Sequence, residues 1–351
     1  MTSENPSVAT VPGALMAMEI TEQPAIFDRI LAESPADVDT VAARIRAASP
    51  RFVMIAARGT SDHAALYFKY LAEIVLGLPC GLASPSTTTA YAAQPDFRDV
   101  LWVAVSQSGG SPDLLESTRA AGRAGALTLA VTNNAESPLA AAAELHLDVR
   151  AGTERAVAAT KTYTATLLTL WLLVDAWSGR GMLDGTGLVS AAEQTVAAPG
   201  VTEVAGHYRF VDRLVLTGRG YAYPTAREAA LKLMETSYLA AHAFSGADLL
   251  HGPLAMVDSE RPVLAVVPHG VAGTAMAAVL ERLRDRGADL TVVGDADTAG
   301  QEPAIVLPRV PEELSPLLEI IPLQRLAHAM AIARHHDPDA PRGLSKVTRT
   351  T

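Results

Sequence analysis

The strongest constraint on the fold of this chain is an internal repeat. Apolar, strand-like runs recur at a fixed distance of 161 positions, with these matching residues: Arg58 and Arg219, Ala104 and Ala265, and Leu129 and Leu290. One such match could arise by chance, but three in the same register indicate a duplicated domain. The chain is therefore predicted to contain two copies of one structural unit.

The order of the apolar runs predicts the class of that unit. Strand-like runs alternate with helix-like segments, a pattern typical of a parallel sheet with helices on its faces. We predict an α/β fold in which each copy is a doubly wound parallel sheet flanked by helices. The predicted parts are a helical arm over 1–47, a first domain over 48–195, a second domain over 205–335 and an irregular tail over 336–351.

The composition indicates a globular chain and argues against two classes of partner. Of the 351 residues, 49% are apolar and 19% are charged, which is enough apolar material to build buried cores. The formal net charge is −10, so the chain has no overall positive field that would attract nucleic acid or an anionic membrane. We expect neither partner, and an anionic ligand would need a local site.

The cysteine content and the hydropathy indicate a cytoplasmic protein. The chain has one cysteine, Cys80, which excludes a disulfide within the chain. Its apolar surroundings predict a buried strand rather than a nucleophile. The first residues lack a basic region before an apolar run, so no signal peptide is expected. The longest apolar run, over 167–174, is too short to span a membrane.

A turn rich in serine and glycine, over 106–111, follows one predicted strand of the first copy. Ser111, Pro112 and Asp113 form a helix start, with serine as the N-cap and aspartate in the first turn. Three polar side chains remain unexplained: Ser106, Gln107 and Ser108. Hydroxyl and backbone N–H groups at a helix N-terminus are typical of a phosphate site, and a plain turn is the alternative. Because the turn has no lysine or arginine, we predict a neutral cradle rather than a nucleotide P-loop.

The second copy provides an internal control for this interpretation. Its equivalent turn, around Gly270, keeps glycines but lacks the serines. The fold therefore does not require the hydroxyl groups, which favours a ligand-binding role in the first copy. Thr60 and Ser61 follow the first strand and would lie at the edge of the sheet where such folds bind ligands. Ser84 and Ser86 are interpreted as caps or turn residues.

Ionisable residues are concentrated in the second copy, in a segment predicted to be one helix over 224–244. Glu228, Lys232 and Glu235 are spaced four and three positions apart, so they share one face of that helix. An exposed stripe of salt bridges is the alternative, but the apolar neighbours indicate a largely buried helix. A buried carboxylate has a raised pKa and is suited to proton transfer.

Two segments with histidine offer acid–base or metal chemistry. His251 lies at a Gly-Pro turn and is suited to acid–base work near neutral pH, unless it is simply an exposed or capping residue. His335 and His336 precede Asp337, but adjacent histidines point apart in a regular element and no third ligand has suitable spacing. We predict no metal site.

Six motifs, in order, resemble those of the sugar isomerase (SIS) family in tandem arrangement, as in the isomerase half of glucosamine-6-phosphate synthase. The motifs are RGTSDH, SQSGGSPD, GTERAVAATKTY, EAALKLMETSY, LLHGPLAMVD and DPDAPRGLSK. The similarity covers nearly the whole chain. It implies two SIS domains, a hexose 6-phosphate substrate and aldose–ketose isomerisation without a metal or redox cofactor.

The resemblance also implies roles for individual residues. It implies that the phosphosugar is bound by Thr60, Ser61, Ser106, Gln107, Ser108 and Ser111, with Val157 lining the sugar. The family's isomerising carboxylate matches Glu235, with Glu228 and Lys232 on the same helix. The family's ring-opening histidine, which in the family reaches across a dimer interface, matches His251, and the family's imine-forming lysine matches Lys346. We therefore expect a homodimer.

Two departures from the synthase bear on the reaction. The synthase has an N-terminal glutaminase domain with a cysteine nucleophile, and we expect no such domain in this chain. Ala159 stands where the synthase has a serine that contacts the sugar. The resemblance therefore implies deamination of glucosamine 6-phosphate to fructose 6-phosphate. The alternatives are a related reaction on galactosamine, tagatose or another amino-linked sugar phosphate, ammonia-dependent synthesis, and a sugar-phosphate sensor without catalysis.

Overall fold

The computed structural model describes residues 11–181 and 186–346 and contains two five-stranded sheets. The strands of the first sheet are β1 (Phe52–Ala56), β2 (Cys80–Leu82), β3 (Val100–Ser106), β4 (Leu127–Thr132) and β5 (Leu145–Asp148). The strands of the second sheet are β6 (Arg213–Gly218), β7 (Ala240–Ser245), β8 (Val263–Val267), β9 (Leu290–Gly294) and β10 (Ile305–Val306).

Helices cover both faces of the sheets and join the two domains. The helices before the end of the first sheet are α1 (Ala14–Thr21), α2 (Gln23–Glu33), α3 (Pro35–Ala48), α4 (Thr60–Val75), α5 (Ser86–Thr89), α6 (Pro112–Arg123) and α7 (Pro138–Ala142). Those that follow are α8 (Lys161–Ser178), α9 (Thr186–Val196), α10 (Val201–His207), α11 (Ala222–Ser237), α12 (Gly246–Leu250), α13 (Val271–Thr274), α14 (Ala277–Asp285), α15 (Ala296–Ala299) and α16 (Ser315–Ala333). Two short 3-10 helices are Pro253–Met256 and Glu312–Leu314.

The two sheets repeat one another in strand order and in register. The order is β2-β1-β3-β4-β5 in the first sheet and β7-β6-β8-β9-β10 in the second, and the strand pairs are parallel. Ala56 pairs with Ala104 in the first sheet, and Thr217 pairs with Ala265, 161 positions later, in the second. The predicted fold class, two α/β domains with parallel sheets flanked by helices, is confirmed.

The predicted helix over 224–244 is wrong in its last third. α11 ends at Ser237, and Tyr238 takes a left-handed conformation with a φ of 56°. The chain then forms β7, which pairs with β6 at the edge of the second sheet. The repeat contained the missing signal, because β2 shifted by 161 positions falls inside β7.

One apolar core continues from the first domain into the second. It includes residues of α4 and α8 from the first domain and of α11 and α16 from the second. α8 is buried around nearly its whole circumference, as expected for a helix enclosed by neighbours rather than lying at a surface. The domains therefore meet through helices, and α4 packs directly on α11.

This core contains a carboxyl group, that of Glu319 on α16. Its side chain is fully buried. One oxygen accepts a hydrogen bond from the Ser315 hydroxyl at 2.6 Å, whereas Oε2 has no hydrogen-bond partner among the described residues. Burial raises the pKa of Glu319 to about 7, although the bond from Ser315 opposes the shift.

Replacement of Glu319 by glutamine is expected to stabilise the protein at alkaline pH more than at acidic pH. The folded state holds the Glu319 proton more tightly than the unfolded chain, in which the pKa is near 4.5. Stability is therefore lost progressively as the pH rises from about 4.5 to about 7, and the loss reaches roughly 2–3 kcal/mol. Thermal unfolding at about pH 5 and about pH 8 measures the difference. Glu281→Gln, on the exposed side of α14, is the control, and an equal shift of Tm at both pH values would contradict the prediction.

Candidate active site at the domain boundary

The loops that carry the predicted phosphate-binding residues lie side by side at one edge of the first sheet. β1 and β3 are neighbours, and the strand order reverses between them, which is where parallel sheets of this kind bind ligands. Thr60 and Ser61 begin α4 after β1. The turn over 106–111, called the serine turn below, connects β3 to α6. The sheet therefore brings both groups of residues to one edge.

The serine turn is shaped by hydrogen bonds to its own hydroxyl groups. Ser106 Oγ accepts a bond from the Gly109 backbone N–H at 3.2 Å, and Ser108 Oγ accepts one from that of Gly110 at 3.3 Å. Gly109 has a φ of 62°, and a Cβ atom there would lie 2.2 Å from Ser137 Oγ. Only glycine fits this position, so the turn keeps a compact backbone.

The remaining predicted ligand contacts of the first domain are half-buried. Ser111 occupies the N-cap position of α6, as expected, but its hydroxyl makes no capping hydrogen bond. Gln107 and Ser108 are half-buried in the serine turn, and Val157 and Ala159 are half-buried in the segment before α8. The partial exposure of these side chains leaves them accessible to a ligand.

In the second domain, the turn that corresponds to the serine turn holds a carboxylate of the protein itself. Glu312 accepts hydrogen bonds from the backbone N–H groups of Val271 at 2.9 Å and Ala272 at 2.7 Å. These two residues lie 161 positions after Gly110 and Ser111. The backbone of this turn can therefore direct two N–H groups at one anionic group. In the second domain, the Glu312 carboxylate already occupies them.

Three charged side chains of α11 form the centre of a cluster at the domain boundary. Glu228 and Lys232 are fully buried, and Glu235 is about one-fifth exposed. Lys232 Nζ donates to Glu235 Oε2 at 2.6 Å and lies 3.3 Å from Glu228 Oε1. The three residues share one face of the helix, and they do not form the exposed stripe that was the alternative interpretation.

The first domain completes this cluster. Thr60 Oγ1 donates to Glu228 Oε1 at 3.0 Å and accepts from Lys232 Nζ at 3.0 Å. His63 Nδ1 lies 2.7 Å from Glu228 Oε2. We call Thr60, His63 and the three residues of α11 the boundary cluster. His63 was not among the residues predicted from the sequence, although it lies three positions after Thr60 and so on the same face of α4.

The expected raised pKa of a buried carboxylate on α11 is wrong for Glu228. Burial by itself would raise its pKa, but the Lys232 ammonium and the hydrogen bonds from His63 and Thr60 bring the pKa below its usual value. Burial would likewise lower the pKa of Lys232, and the carboxylates of Glu228 and Glu235 raise it instead. The direction of both shifts favours the charged forms of the pair, which differs from the raised pKa expected of a buried carboxylate suited to proton transfer.

Lys346, near the end of the described chain, contacts the segment that precedes α8. Its Nζ donates to Glu154 Oε2 at 3.0 Å and to the Ala156 carbonyl at 2.6 Å. The other oxygen of Glu154 accepts from the backbone N–H groups of Thr160 at 2.8 Å and Thr162 at 3.2 Å. Glu154 is buried and was missed from the sequence, although it lies in one of the quoted motifs.

The tail is fastened to the start of α1. Asp337 Oδ1 accepts from the Gly13 backbone N–H at 3.0 Å. The two oxygens of Asp339 accept from those of Leu15 and Met16, at 2.9 and 2.8 Å. Carboxylates at this place satisfy N–H groups that have no partner inside the helix.

The tail also contacts the end of α11. The ring of Tyr238 meets His336 edge to face at a centroid distance of 4.7 Å. The Arg342 guanidinium lies 4.0 Å from the centre of the Tyr238 ring, and the Arg342 backbone N–H donates to the Tyr238 hydroxyl at 3.0 Å. The tail therefore lies against the end of the helix that carries Glu235.

Two other predicted or considered residues lie apart from these contacts. His251 is exposed directly after α12, and among the described residues no hydrogen bond joins its ring to the boundary cluster. Its role in ring opening, which involves a second chain, stays a prediction. Cys80 is buried in β2, and burial raises the pKa of its thiol to about 12, so it is not a thiolate near neutral pH.

Residues 11–181 and 186–346 offer neither a metal-binding group nor a membrane-spanning helix. No three histidine, cysteine, aspartate or glutamate side chains are grouped so that they could hold a metal ion. No described helix has the length and the apolar character needed to cross a membrane.

Replacement of Lys232 by methionine is expected to destabilise the protein by about 3–5 kcal/mol, because it leaves Glu228 buried without its counter-ion. The matched control is Lys69→Met, which removes a lysine from the partly exposed pair with Glu73 on α4. That change is expected to cost no more than about 1 kcal/mol. Urea denaturation compares the free energies of unfolding, and similar losses for both variants would show that the boundary cluster is not a buried ionic link.

Comparison with known sequences shows the family of the chain. The family model of the SIS domain matches residues 48–176 and 208–334. The glutamine–fructose-6-phosphate aminotransferase [isomerizing] of Methanothermobacter thermautotrophicus is 37% identical over 301 residues, which are 84% of this chain and 51% of that protein. The protein of the same name from Pseudomonas putida is 34% identical over 359 residues, with 94% and 58% covered. The chain thus spans little more than half the length of these curated relatives.

Solved structures agree with this assignment. The crystal structure of a protein from Silicibacter pomeroyi matches this chain with 36% sequence identity and a TM-score of 0.83. The match covers 93% of this chain and 100% of that protein's chain. The C-terminal domain of glucosamine-fructose-6-phosphate aminotransferase from Francisella tularensis has 28% identity and a TM-score of 0.80, with 95% and 99% covered. By sequence and by fold, this chain belongs to the SIS family and contains two SIS domains in tandem.

Proposed function

We propose that the chain is an aldose–ketose isomerase and deaminase of amino-sugar 6-phosphates, which converts glucosamine 6-phosphate and water to fructose 6-phosphate and ammonia. The observation that carries the proposal is the hydrogen-bonded connection from Glu235 through Lys232 to Thr60. It links a partly exposed carboxylate to the edge of the sheet that carries the serine turn. The name of the relatives, which combines isomerisation with fructose 6-phosphate, supports this class of substrate.

The serine turn is proposed to hold the phosphate of the sugar. Hydroxyl groups of Ser106, Ser108 and Ser111 and the backbone N–H groups at the start of α6 are neutral donors that suit a phosphate. The carboxylate of Glu312 at the equivalent turn of the second domain supports the ability of this backbone to receive an anion. Binding at the serine turn would hold the far end of an open-chain sugar close to α11.

Glu235 is proposed to transfer the proton during isomerisation. It would remove the proton from C2 of the open-chain amino-aldose and deliver it to C1. A second proton would pass from the C2 nitrogen to the C1 oxygen, so that the aldehyde becomes an alcohol and the amine becomes an imine. The Lys232 ammonium donates a hydrogen bond to this carboxylate and orients it. Glu228 keeps Lys232 charged, and the partial exposure of Glu235 gives a substrate access to it.

Hydrolysis of the imine would complete the reaction. Water adds to C2, the C2–N bond breaks and the nitrogen leaves as ammonia. The C2 carbon becomes a ketone, and the product is fructose 6-phosphate. Lys346 could first displace the ammonia by transimination, after which water would release the lysine. Its contact with Glu154 offers a carboxylate that can take up the proton of the Lys346 ammonium. His251 is proposed to assist ring opening from a neighbouring chain.

The deaminating direction is proposed on the chemistry of these residues. The same proton-transfer groups would also catalyse the reverse reaction from ammonia and fructose 6-phosphate. Deamination is the expected direction where ammonia is dilute.

The Glu235→Gln variant is expected to lower kcat for glucosamine 6-phosphate by about 100- to 10,000-fold, because glutamine keeps the shape but cannot accept the proton. Release of ammonia and of fructose 6-phosphate measures the reaction. Glu73→Gln, at the partly exposed end of the ion pair on α4, is the control and should keep the wild-type rate. A fully active Glu235→Gln variant would remove Glu235 as the base, and binding of the sugar phosphate by the wild type without turnover would indicate a sensor instead.

The Ser108→Ala variant is expected to raise KM for glucosamine 6-phosphate by about ten- to a hundredfold, because it removes one hydrogen bond to a charged group. Its effect on kcat should be smaller, since the bond would be present in both the bound substrate and the transition state. Ser259→Ala, in the exposed loop before β8, is the control. If KM is the same in both variants, the serine turn does not bind the phosphate.

A further inference from the structure

Arg58 lies beside the serine turn and is bound to its helix. It lies two positions after β1, whose last residue, Ala56, pairs with Ala104 of β3. Its guanidinium group forms an ion pair with Asp113 Oδ2 at 2.8 Å and donates to the Ala57 carbonyl at 3.1 Å. Its side chain is 46% exposed, so part of the group faces solvent at the edge where the ligand is proposed to bind.

The partner of Arg58 is a carboxylate in an unfavourable place for a phosphate site. Asp113 lies in the first turn of α6, and its side chain is only 5% exposed. Its other oxygen accepts from the Leu114 backbone N–H at 2.9 Å. A sugar phosphate carries a charge of about −1.5 to −2 near neutral pH, so a single negative charge in the same helical turn would repel it. A buried charge is poorly screened by salt.

We propose that Arg58 is a positioning residue that makes the serine turn selective for a phosphorylated ligand, by neutralising Asp113. With the pair intact, the start of α6 has no net side-chain charge, and the hydroxyl and N–H donors determine which ligand is bound. Without the guanidinium, the same donors would lie beside an uncompensated carboxylate and would favour a neutral sugar over a phosphate. This inference rests on the proposed binding of a sugar phosphate at the serine turn.

The second domain provides a natural comparison. Arg219 lies 161 positions after Arg58, in the corresponding place after β6, and is exposed. The residue that corresponds to Asp113 is Thr274, which carries no charge. The arginine therefore recurs without the acidic residue, and Arg219→Gln is a matched control for Arg58→Gln.

The test is a double-mutant cycle that removes the charges of Arg58 and Asp113 singly and together. Calorimetry measures the dissociation constant of fructose 6-phosphate for the wild type and for Arg58→Gln, Asp113→Asn, the double variant and Arg219→Gln. Arg58→Gln is expected to weaken binding by about ten- to a hundredfold. The double variant should return to within about threefold of the wild type, because both charges are then absent. Asp113→Asn should bind at least as tightly as the wild type, Arg58→Lys should retain most of the affinity, and Arg219→Gln should change nothing.

The outcomes separate this inference from the proposed function. If the double variant binds as weakly as Arg58→Gln, Arg58 acts by direct contact with the phosphate and the inference is overturned. Unchanged binding in Arg58→Gln overturns it as well, while leaving the proposed function in place if Ser108→Ala still weakens binding. If the wild type does not bind fructose 6-phosphate, both fail together. Thermal unfolding of each variant shows whether the variant is folded at the temperature at which binding is measured. A variant that is unfolded there would lose binding for that reason alone.

Discussion

The buried ion pair of Glu228 and Lys232 is the interaction on which the geometry of the site depends. An isolated charge in a protein interior costs several kcal/mol, and a pair is tolerated only when the remaining donors and acceptors are also satisfied. Here Thr60 and His63 supply those bonds from the first domain. A shift of one domain against the other would leave a buried charge without its partners. The same bonds that hold the boundary together therefore fix the position of α11 relative to the edge of the first sheet.

The two domains share one fold but differ in the side chains at equivalent positions. At the helix interface, the positions of α4 that correspond to Glu228 and Lys232 are Tyr67 and Leu71, both fully buried. The two carboxylates and the ammonium of the boundary cluster thus all come from α11, whereas α4 contributes the Thr60 hydroxyl and the His63 ring. At the edges of the sheets it is the first domain that offers a binding site, the serine turn. In the second domain, Glu312 occupies the N–H groups of the equivalent turn. Each domain supplies what the other lacks, which is why the candidate site lies between them.

Carboxylates connect the two ends of the described part of the chain. Asp337 and Asp339 bind the start of α1, and the Asp339 carbonyl accepts a bond from the Val157 backbone N–H at 3.3 Å. Lys346 reaches Glu154 in the same segment. The start of α1, residues 337–346 and the segment before α8 are therefore connected by hydrogen bonds.

The sequence by itself determined the duplication, the α/β class and the residue types of the candidate site, because strand periodicity, turn chemistry and helical spacing are local properties that repeat. The repeat also locates β7. The segment after Ser237 was nevertheless predicted as helix, because its apolar residues continue those of α11. Only the tertiary structure decided that His63 and Glu154 belong with the predicted residues, since each contacts a partner from a distant segment. The structure also decided the direction in which the pKa of Glu228 is shifted. Burial and charge pairing shift a pKa in opposite directions, and which of them prevails depends on neighbours that only the folded chain brings together.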